Sequence, residues 1–400
     1  MILNISLYIS TMNAKVDNLK EDNGLMSFTL YNVDVSYANA VRRTILSDIP
    51  IIVFKTSPYE LNKCTIQANT SRLHNEIVKQ RLSCVPICIK DIDFPIKNYV
   101  LEIDVENNTD TMLSVTTKDF KFRDLRTNKL VEEAKMREIF PPYIPPDGNG
   151  EYFIEFLHLR PRLSDEIPGE RIKLSCELSV SNARDDASFN VVGTCSYGFT
   201  PDQDKMNEQL EIRKQKWKDE GKKEDEIKFE AANWKLLEGL RYVKKNSFDF
   251  VISSVGIYEN EQIIIKACNI VVDKFKKLMD AIQKDELQVK PSDNTMQNCY
   301  DVVLENEDYT IGNILNYELY RTFYLDMEQL SYVGFKKMHP HDDDSLLRLA
   351  LTDSTKGKEE VKLMIAGAAK DAVHTLLSIK GRFDGSRPEN EGSQEKRESW

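Results

Sequence analysis

The sequence predicts an α+β fold with more than one domain, and three observations lead to this prediction. Apolar residues recur at three- and four-residue steps in segments such as 36–49 and 261–283, which is the period of a one-faced helix. Over 99–105 and 172–180, apolar and polar residues alternate instead, which is typical of a half-buried strand. With 400 residues and a hydrophobic content of 41%, the chain is long enough for two or three domains with their own cores.

The composition limits the classes of function and the compartment. A net charge of −11 and a pI near 5.2 argue against a dominant nucleic-acid-binding face, because phosphate contacts need clustered lysine and arginine. The seven cysteines are not spaced as in a disulfide framework, which favours a reducing compartment. No apolar run approaches the ~20 residues of a membrane span, and the apolar start lacks the basic residues of a signal peptide. We therefore expect a soluble intracellular protein.

The helix predicted over 36–49 is the segment around which the rest is organised. Its apolar stripe consists of Ala38, Val41, Ile45 and Ile49. Ser36 is the expected N-cap, and Pro50 stops the helix because proline disfavours helical geometry in the residue before it. Arg42 and Arg43 leave the stripe together. The pattern alone favours an ordinary amphipathic helix with solvated arginines.

A second helix is expected after the phrase Asn-Thr-Ser at 69–71. Thr70 or Ser71 is the expected cap, and a proline at position 86 ends the segment. The same segment holds Glu76 and Arg81 on a short helical stretch. Its expected apolar contacts are Leu73, Ile77, Val78 and Leu82.

The C-terminal third repeats the combination of helix and strand. Asp308 or Thr310 caps a predicted helix that reaches Leu319, and Gly312 near its start suggests close approach of another backbone. Strands are expected around 333–338 and 347–351, and a long helix over 359–383 carries Ala368 and Ala372 on its apolar side. The stripe of the first of these helices is Ile311, Ile314, Leu315 and Leu319.

No catalytic or metal-binding pattern stands out. The sequence has no glycine-rich phosphate loop, no cradle of alternating aspartates and no nucleophile phrase with a placed base. His339 and His341 precede three aspartates, but a solvated turn is the better interpretation. Cys84 and Cys88 are close in sequence whereas Cys64 and Cys176 are distant, so four tetrahedral ligands are not at hand. We expect no metal and no cofactor.

Several phrases resemble the alpha-type subunits of DNA-directed RNA polymerase, which are bacterial alpha, the archaeal D subunit and the eukaryotic third-largest subunit. Ala-Asn-Ala-Val-Arg-Arg at 38–43, followed by an aliphatic pair, an acid and Ile-Pro, is similar to their assembly helix. Asn-Thr-Ser at 69–71 with the following Arg-Leu and Val-Pro matches a second phrase. The Asp-Tyr-Thr-Ile-Gly-Asn helix at 308–313, the Gly-Phe-Lys…His-Pro strand at 334–340 and the closing helix resemble the small partner, the archaeal L or eukaryotic eleventh subunit.

The resemblance implies a dimerisation domain interrupted by a β-rich insert and followed by a second, small alpha-like α+β domain. Large and small alpha-like subunits joined in one chain resemble the polymerases of large nucleocytoplasmic DNA viruses. The expected organisation is dimerisation domain 1–53 and 247–285, insert 54–200, charged connection 201–246, linker 286–295, L-type domain 296–383 and disordered tail 384–400. Residues 1–11 precede the first element of this fold, so we expect them to be dispensable, or Met12 to be the true start; an added edge strand is the alternative.

The implied function is a non-catalytic assembly platform that docks the largest and second-largest polymerase subunits, together with small subunits, with little or no direct nucleic-acid contact and no membrane. The implied compartment is host cytoplasm and virion. A free-standing transcription regulator with the same fold is the alternative, and a metal-dependent enzyme is a poorly supported third. The residues expected to meet the large subunits are Asn39, Arg42, Arg43, Glu76 and Arg81. Those expected in the interface between the two halves are Ala38, Val41, Ile45, Ile49, Ile311, Gly312, Asn313, Ile314, Leu315, Leu319, Ala368 and Ala372.

Overall fold

The computed structural model describes residues 13–162, 164, 166–293 and 295–385. The predictions for residues 1–11 and for residues 386–400 of the tail lie outside the described residues. The helices within it are α1 (Val35–Ser47), α2 (Asn75–Ser83), α3 (Glu133–Ile139), α4 (Gln203–Asp219), α5 (Glu224–Leu236), α6 (Asn260–Gln283), α7 (Tyr309–Leu319) and α8 (Lys358–Lys380). Among the described residues, no helix combines the length and apolarity that a membrane span requires.

Strands provide the other half of the predicted α+β fold. Their bounds are β1 (Lys15–Asp22), β2 (Leu25–Tyr31), β3 (Ile51–Val53), β4 (Cys64–Asn69), β5 (Tyr99–Glu106), β6 (Leu113–Thr116), β7 (Lys121–Asp124), β8 (Lys129–Leu130), β9 (Glu155–Leu159), β10 (Arg171–Glu177), β11 (Ser179–Ser181), β12 (Val192–Pro201), β13 (Val243–Ser254), β14 (Val289–Pro291), β15 (Cys299–Leu304), β16 (Leu330–Lys336) and β17 (Ser345–Leu351). Helices and strands are therefore mixed along the whole described chain.

The chain divides into two compact units. The first consists of the residues up to Thr44, Thr194–Ser253 and the residues from Ile264 onward. It holds two four-stranded sheets, with strand orders β1-β2-β13-β12 and β14-β15-β17-β16. In the first sheet Phe28 is paired with Phe250, and the two rings stack at 5.1 Å between centroids. Residues 38–43, which resemble the large alpha-type subunit, and residues 308–340, which resemble its small partner, thus belong to the same unit.

The second unit consists of Ile45–Gly193 and Ser254–Ile263. It is built on a five-stranded sheet of order β4-β10-β5-β7-β8 and contains α2 and α3. Its core is aromatic, with the ring of Phe140 contacting those of Phe54, Phe120 and Phe122. Neither Thr70 nor Ser71 caps α2, because the helix begins later, at Asn75, and His74 occupies the N-cap position.

Two segments differ from their predicted form. Within the predicted linker 286–295, Val289–Pro291 pairs as β14 with β15, since an extended segment beside a sheet edge satisfies its backbone groups by joining it. In the charged connection, α4 and α5 are not simply solvated. The two helices bury a small core of their own, which the high charge content of the segment did not lead us to expect. This core consists of Met206, Leu210, Trp217, Ile227, Ala231 and Trp234.

Candidate functional site: the contact between α1 and α7

Both helices of this contact begin at an aspartate. The Asp34 carboxylate (Oδ1) accepts a hydrogen bond from the backbone N–H of Ser36 at 2.9 Å, and Asp308 Oδ1 accepts one from Thr310 at 2.8 Å. Such bonds satisfy backbone donors that the first helical turn leaves without partners. The prediction of Ser36 as the cap of α1 is therefore wrong, because Ser36 lies inside the helix. Of the two candidates for α7, Asp308 is the cap.

The apolar stripes of the contact are buried. Glycine, alanine and aliphatic positions predicted for the interface lie in the core, while Asn313 is half-buried. The buried members are Ala38, Val41, Ile45, Ile49, Ile311, Gly312, Ile314, Leu315, Leu319, Ala368 and Ala372. Burial does not identify which helix each of these residues contacts; the pairing of α1 with α7 is defined by polar contacts.

Gly312 is required by a close approach, but not of another backbone as predicted. A Cβ atom at this position would lie 2.0 Å from the ring of Phe335 on β16. Since real Cβ atoms do not approach other heavy atoms this closely, only glycine fits while the ring keeps its place. The glycine in this Gly-Asn phrase is therefore explained by the packing of α7 against β16.

Polar contacts join α1 to α7 at both ends. Near the start of α1, the Tyr37 hydroxyl donates to Glu318 Oε1 at 2.5 Å. Six residues later, Arg43 donates from Nε to Thr310 Oγ1 at 3.0 Å and from Nη2 to Asp308 Oδ2 at 2.9 Å. The start of α1 therefore meets the end of α7, and the end of α1 meets its start, so the two helices run antiparallel.

Glu318 is the centre of a buried ionic network. Its side chain is 0% exposed and also accepts from Arg321, at 3.1 Å from Nε and 2.7 Å from Nη2. Arg321, on the π-helical turn Tyr320–Asp326 after α7, lies 3.6 Å from Asp371 on α8. Burial raises the pKa of Glu318 although Tyr37 and Arg321 stabilise its charged form. A buried carboxylate needs such partners, so this network fixes how α1, α7 and α8 fit together.

The two adjacent arginines have different roles. Arg42 donates from Nε and Nη2 to Asn39 Oδ1 on the same helix, at 3.2 and 2.9 Å. Arg43 binds Asp308 and Thr310 within the chain, and its predicted contact with a large subunit stays a prediction. The sequence could not distinguish them, because the pattern of α1 specifies which residues are apolar but not which acid faces each arginine.

This difference predicts unequal effects of alanine substitution on stability. We expect Arg43→Ala to lower the free energy of unfolding by up to about 1 kcal/mol, since its side chain is 36% exposed and solvent screens the pair. Arg42→Ala removes a bond within one helix and should change it by less than ~0.5 kcal/mol. Urea unfolding of both variants and of the unmodified chain measures these changes in the free energy of unfolding. Equal losses would mean that the contact of Arg43 with α7 is not a stabilising one.

Glu76 and Arg81 lie on α2 in the second unit. Glu76 is exposed, whereas Arg81 donates to the carbonyl oxygens of Phe156 at 2.5 Å and Glu155 at 3.1 Å. The guanidinium of Arg81 thus holds β9 beside α2. Its predicted contact with a large subunit stays a prediction, and its structural role is one that the sequence phrase did not reveal.

The cysteines do not gather as metal ligands within the described part of the chain. No group of three or more potential ligands occurs there. Cys64 and Cys176, distant in sequence, are direct neighbours across β4 and β10, and both are buried. Their position in the sheet is that of paired core residues.

Sequence reasoning missed Tyr37 and Glu318, although a signal for the pairing was present. The pattern Asp-x-Ser/Thr-x-Ala/Gly-Asn occurs twice, as Asp-Val-Ser-Tyr-Ala-Asn at 34–39 and as Asp-Tyr-Thr-Ile-Gly-Asn at 308–313. An internal repeat of this kind identifies α1 and α7 as equivalent elements. Alignment of the repeats makes Asp34 equivalent to Asp308 and Ser36 to Thr310.

Comparison with known proteins relates the chain to a family of polymerase subunits. Residues 27–275, more than half of the chain, match the family described as RNA polymerase Rpb3/Rpb11 dimerisation domain. Similar proteins include the DNA-directed RNA polymerases I and III subunit rpac1 of Dictyostelium discoideum, with 27% identity over 47% of this chain and 53% of that protein. The human RPAC1 subunit is 27% identical over 48% of this chain and 55% of that protein. The chain spans about half the length of these two relatives.

One relative aligns over a longer stretch. The DNA-directed RNA polymerases IV and V subunit 3B of Arabidopsis thaliana is 22% identical in an alignment 324 positions long, which covers 70% of this chain and 92% of that protein. The matched family covers α1 and most of α6, and it ends before α7.

Proposed function

Because the chain belongs to the RNA polymerase Rpb3/Rpb11 dimerisation-domain family, we propose that it is a non-catalytic assembly subunit of a multisubunit DNA-directed RNA polymerase. In this proposal a large and a small alpha-like half form a pseudodimer within one chain. The observation that carries it is the antiparallel contact of α1 with α7 through Tyr37–Glu318 and Arg43–Asp308. Joining both halves in one chain replaces association between molecules by a local concentration of millimolar order.

We assign docking of the two largest polymerase subunits to side chains that do not join separate elements of the chain. Glu76 is exposed on α2, and Arg42 makes its hydrogen bonds only to its neighbour Asn39 among the described residues. The planar guanidinium of Arg42 suits a carboxylate or a backbone carbonyl of a partner. Arg43 contributes indirectly, by holding α1 against α7.

The source of the chain is a further part of the proposal. Phrases similar to the archaeal D and L types follow one another in one polypeptide, an arrangement that supports a polymerase of a large nucleocytoplasmic DNA virus. Such a subunit acts in the host cytoplasm and is packaged in the virion.

Purification of the tagged, full-length chain from the cells that naturally produce it tests the proposal. Two very large chains should co-purify, one of them with the three-aspartate motif that holds the catalytic metals. Recovery of the chain with other proteins but without these two would favour the alternative, a free-standing transcription regulator that uses the same fold.

The same purification distinguishes the roles of the two arginines. We expect Arg42→Ala to reduce recovery of the second-largest subunit while the melting temperature of the chain stays the same, since only an outward contact is lost. Glu261→Ala, an exposed change on α6, is the matched control and should leave recovery unchanged. Full recovery with Arg42→Ala would remove this residue from the proposed interface.

A further inference from the structure

Asp308 and Thr310 form a small receptor for a guanidinium group. Arg43 binds the Thr310 hydroxyl through Nε and the Asp308 carboxylate through Nη2. The Asp308 carboxylate meanwhile caps α7 with its other oxygen. One aspartate and one hydroxyl two residues later thus cap a helix and hold an arginine at the same time.

The same pair of residue types, named here the second receptor, occurs at the start of α1. Asp34 caps α1 as Asp308 caps α7, and Ser36 follows it by two residues as Thr310 follows Asp308. Arg43 stands nine residues after Asp34, and the position nine residues after Asp308 is 317. That position is a tyrosine, so α7 does not return the contact that α1 makes.

The second receptor opens into a cavity of about 300 Å³. Its walls include Asp34, Ser36, Asn316, Tyr317 and Tyr320. Ser36 is only 9% exposed, yet within the described residues its hydroxyl has no hydrogen-bond partner, and neither does Asn316 Oδ1. Leaving buried polar atoms unpaired costs free energy, so these two atoms indicate a ligand with hydrogen-bond donors.

Charge and size indicate the class of that ligand. Asp34 is the only charged residue in the wall as described, and burial together with its charge raises the pKa of Tyr317 to about 12. Arg42 stands close enough to oppose the effect of burial on the pKa of Tyr197, another wall residue, but its guanidinium is bound to Asn39. The volume lies at the lower end for small-molecule sites, which suits one side chain better than a nucleotide.

We propose that this cavity receives an arginine side chain from a partner polypeptide. Its guanidinium donates to Ser36 Oγ, to the Asp34 carboxylate and to Asn316 Oδ1, as Arg43 does to Thr310 and Asp308 on the other side. The rings of Tyr317 and Tyr320 supply faces for a planar cation. Lysine fits less well because its ammonium is a compact, strongly hydrated point charge, whereas a guanidinium offers a planar fork of five donors. The inference rests on the proposed function in one respect, which is that the partner is another polymerase subunit.

Binding of model side chains to the full chain tests the cavity itself. We expect N-acetyl-arginine amide to shift the side-chain amide NMR signals of Asn316 saturably, and N-acetyl-lysine amide to bind at least about tenfold more weakly. Ser36→Ala should weaken arginine binding about tenfold, since it removes a charge-assisted hydrogen bond. No saturable shift, equal binding of lysine, or unchanged affinity of Ser36→Ala would overturn the proposal.

Two further variants separate binding from folding. Thr310→Val removes the equivalent hydroxyl at the occupied receptor, so it should lower the melting temperature and leave probe binding unchanged. Ser36→Ala should weaken probe binding and leave the melting temperature unchanged. Tyr317→Arg supplies the missing guanidinium from within the chain and should abolish probe binding. Probe binding that survives in a folded Tyr317→Arg variant would contradict the assigned place of the ligand.

The assembled polymerase tests the source of the arginine. In the complex purified with the full chain, the cavity should be filled and the arginine probe should no longer shift Asn316. If the cavity stays open in the complex, or binds the probe only after removal of residues 386–400, the arginine does not come from a partner subunit. If the probe binds as expected but no large polymerase chain co-purifies, the proposed function fails. If the polymerase assembles and the probe does not bind, only the inference on the cavity fails.

Discussion

Leu315→Asp should lower the free energy of unfolding by about 4–5 kcal/mol, since truncation of a buried leucine costs about 2–5 kcal/mol and a buried, unpaired carboxylate adds to it. Leu315 is fully buried on α7. Urea unfolding monitored by tryptophan fluorescence and circular dichroism measures the loss.

Leu363→Asp is the matched control, because Leu363 lies on α8 with 67% of its surface exposed. It should change the free energy of unfolding by less than ~0.5 kcal/mol. A loss below about 1 kcal/mol for Leu315→Asp would mean that α7 does not pack as a core helix.

The second large effect is expected at Glu318. Glu318→Ala leaves the buried Tyr37 hydroxyl without this acceptor and removes from Arg321 the carboxylate at 2.7 Å, whereas Asp371 lies at 3.6 Å. Removal of one partner from a buried ion pair typically costs about 3–5 kcal/mol, and we expect a loss in this range. A double-mutant cycle with Tyr37→Phe should give a coupling energy of at least about 1 kcal/mol.

Glu261→Ala provides the baseline for this experiment, because it removes an exposed glutamate from α6. Additive effects of Glu318→Ala and Tyr37→Phe would count against a direct contact between α1 and α7. Such a result would separate the stability of α7 from its pairing with α1.

Periodicity was sufficient to predict α1, α6, α7 and α8 and their buried faces. The stripes of α1 and α7 follow from the spacing of Ala38, Val41, Ile311 and Leu315, since burial of one helix face is imposed by the hydrophobic effect. Caps were less predictable. Asp34 and Ser36 are both good N-caps by type, and only the geometry of the turn decides that Asp34 takes this role.

Contacts between distant segments were not predictable from one sequence. Gly312 signalled a close approach, but whether a backbone or the Phe335 ring approaches depends on the sheet beside α7. The pairing of Arg43 with Asp308 joins residues 265 positions apart. The periodicity of one segment does not identify such pairs, whereas the repeat shared by 34–39 and 308–313 indicates that the two helices are equivalent.

The most direct test of the account is to divide the chain between its two halves. Residues 1–286 and 287–400, produced together with an affinity tag on the second only, keep β14 with its partner strand β15. At micromolar concentration the account predicts one complex of the two pieces, which elutes as a single species and captures the two large polymerase chains as the intact protein does. Elution of the tagged piece without residues 1–286 would contradict it, because the tether alone would then hold the halves together.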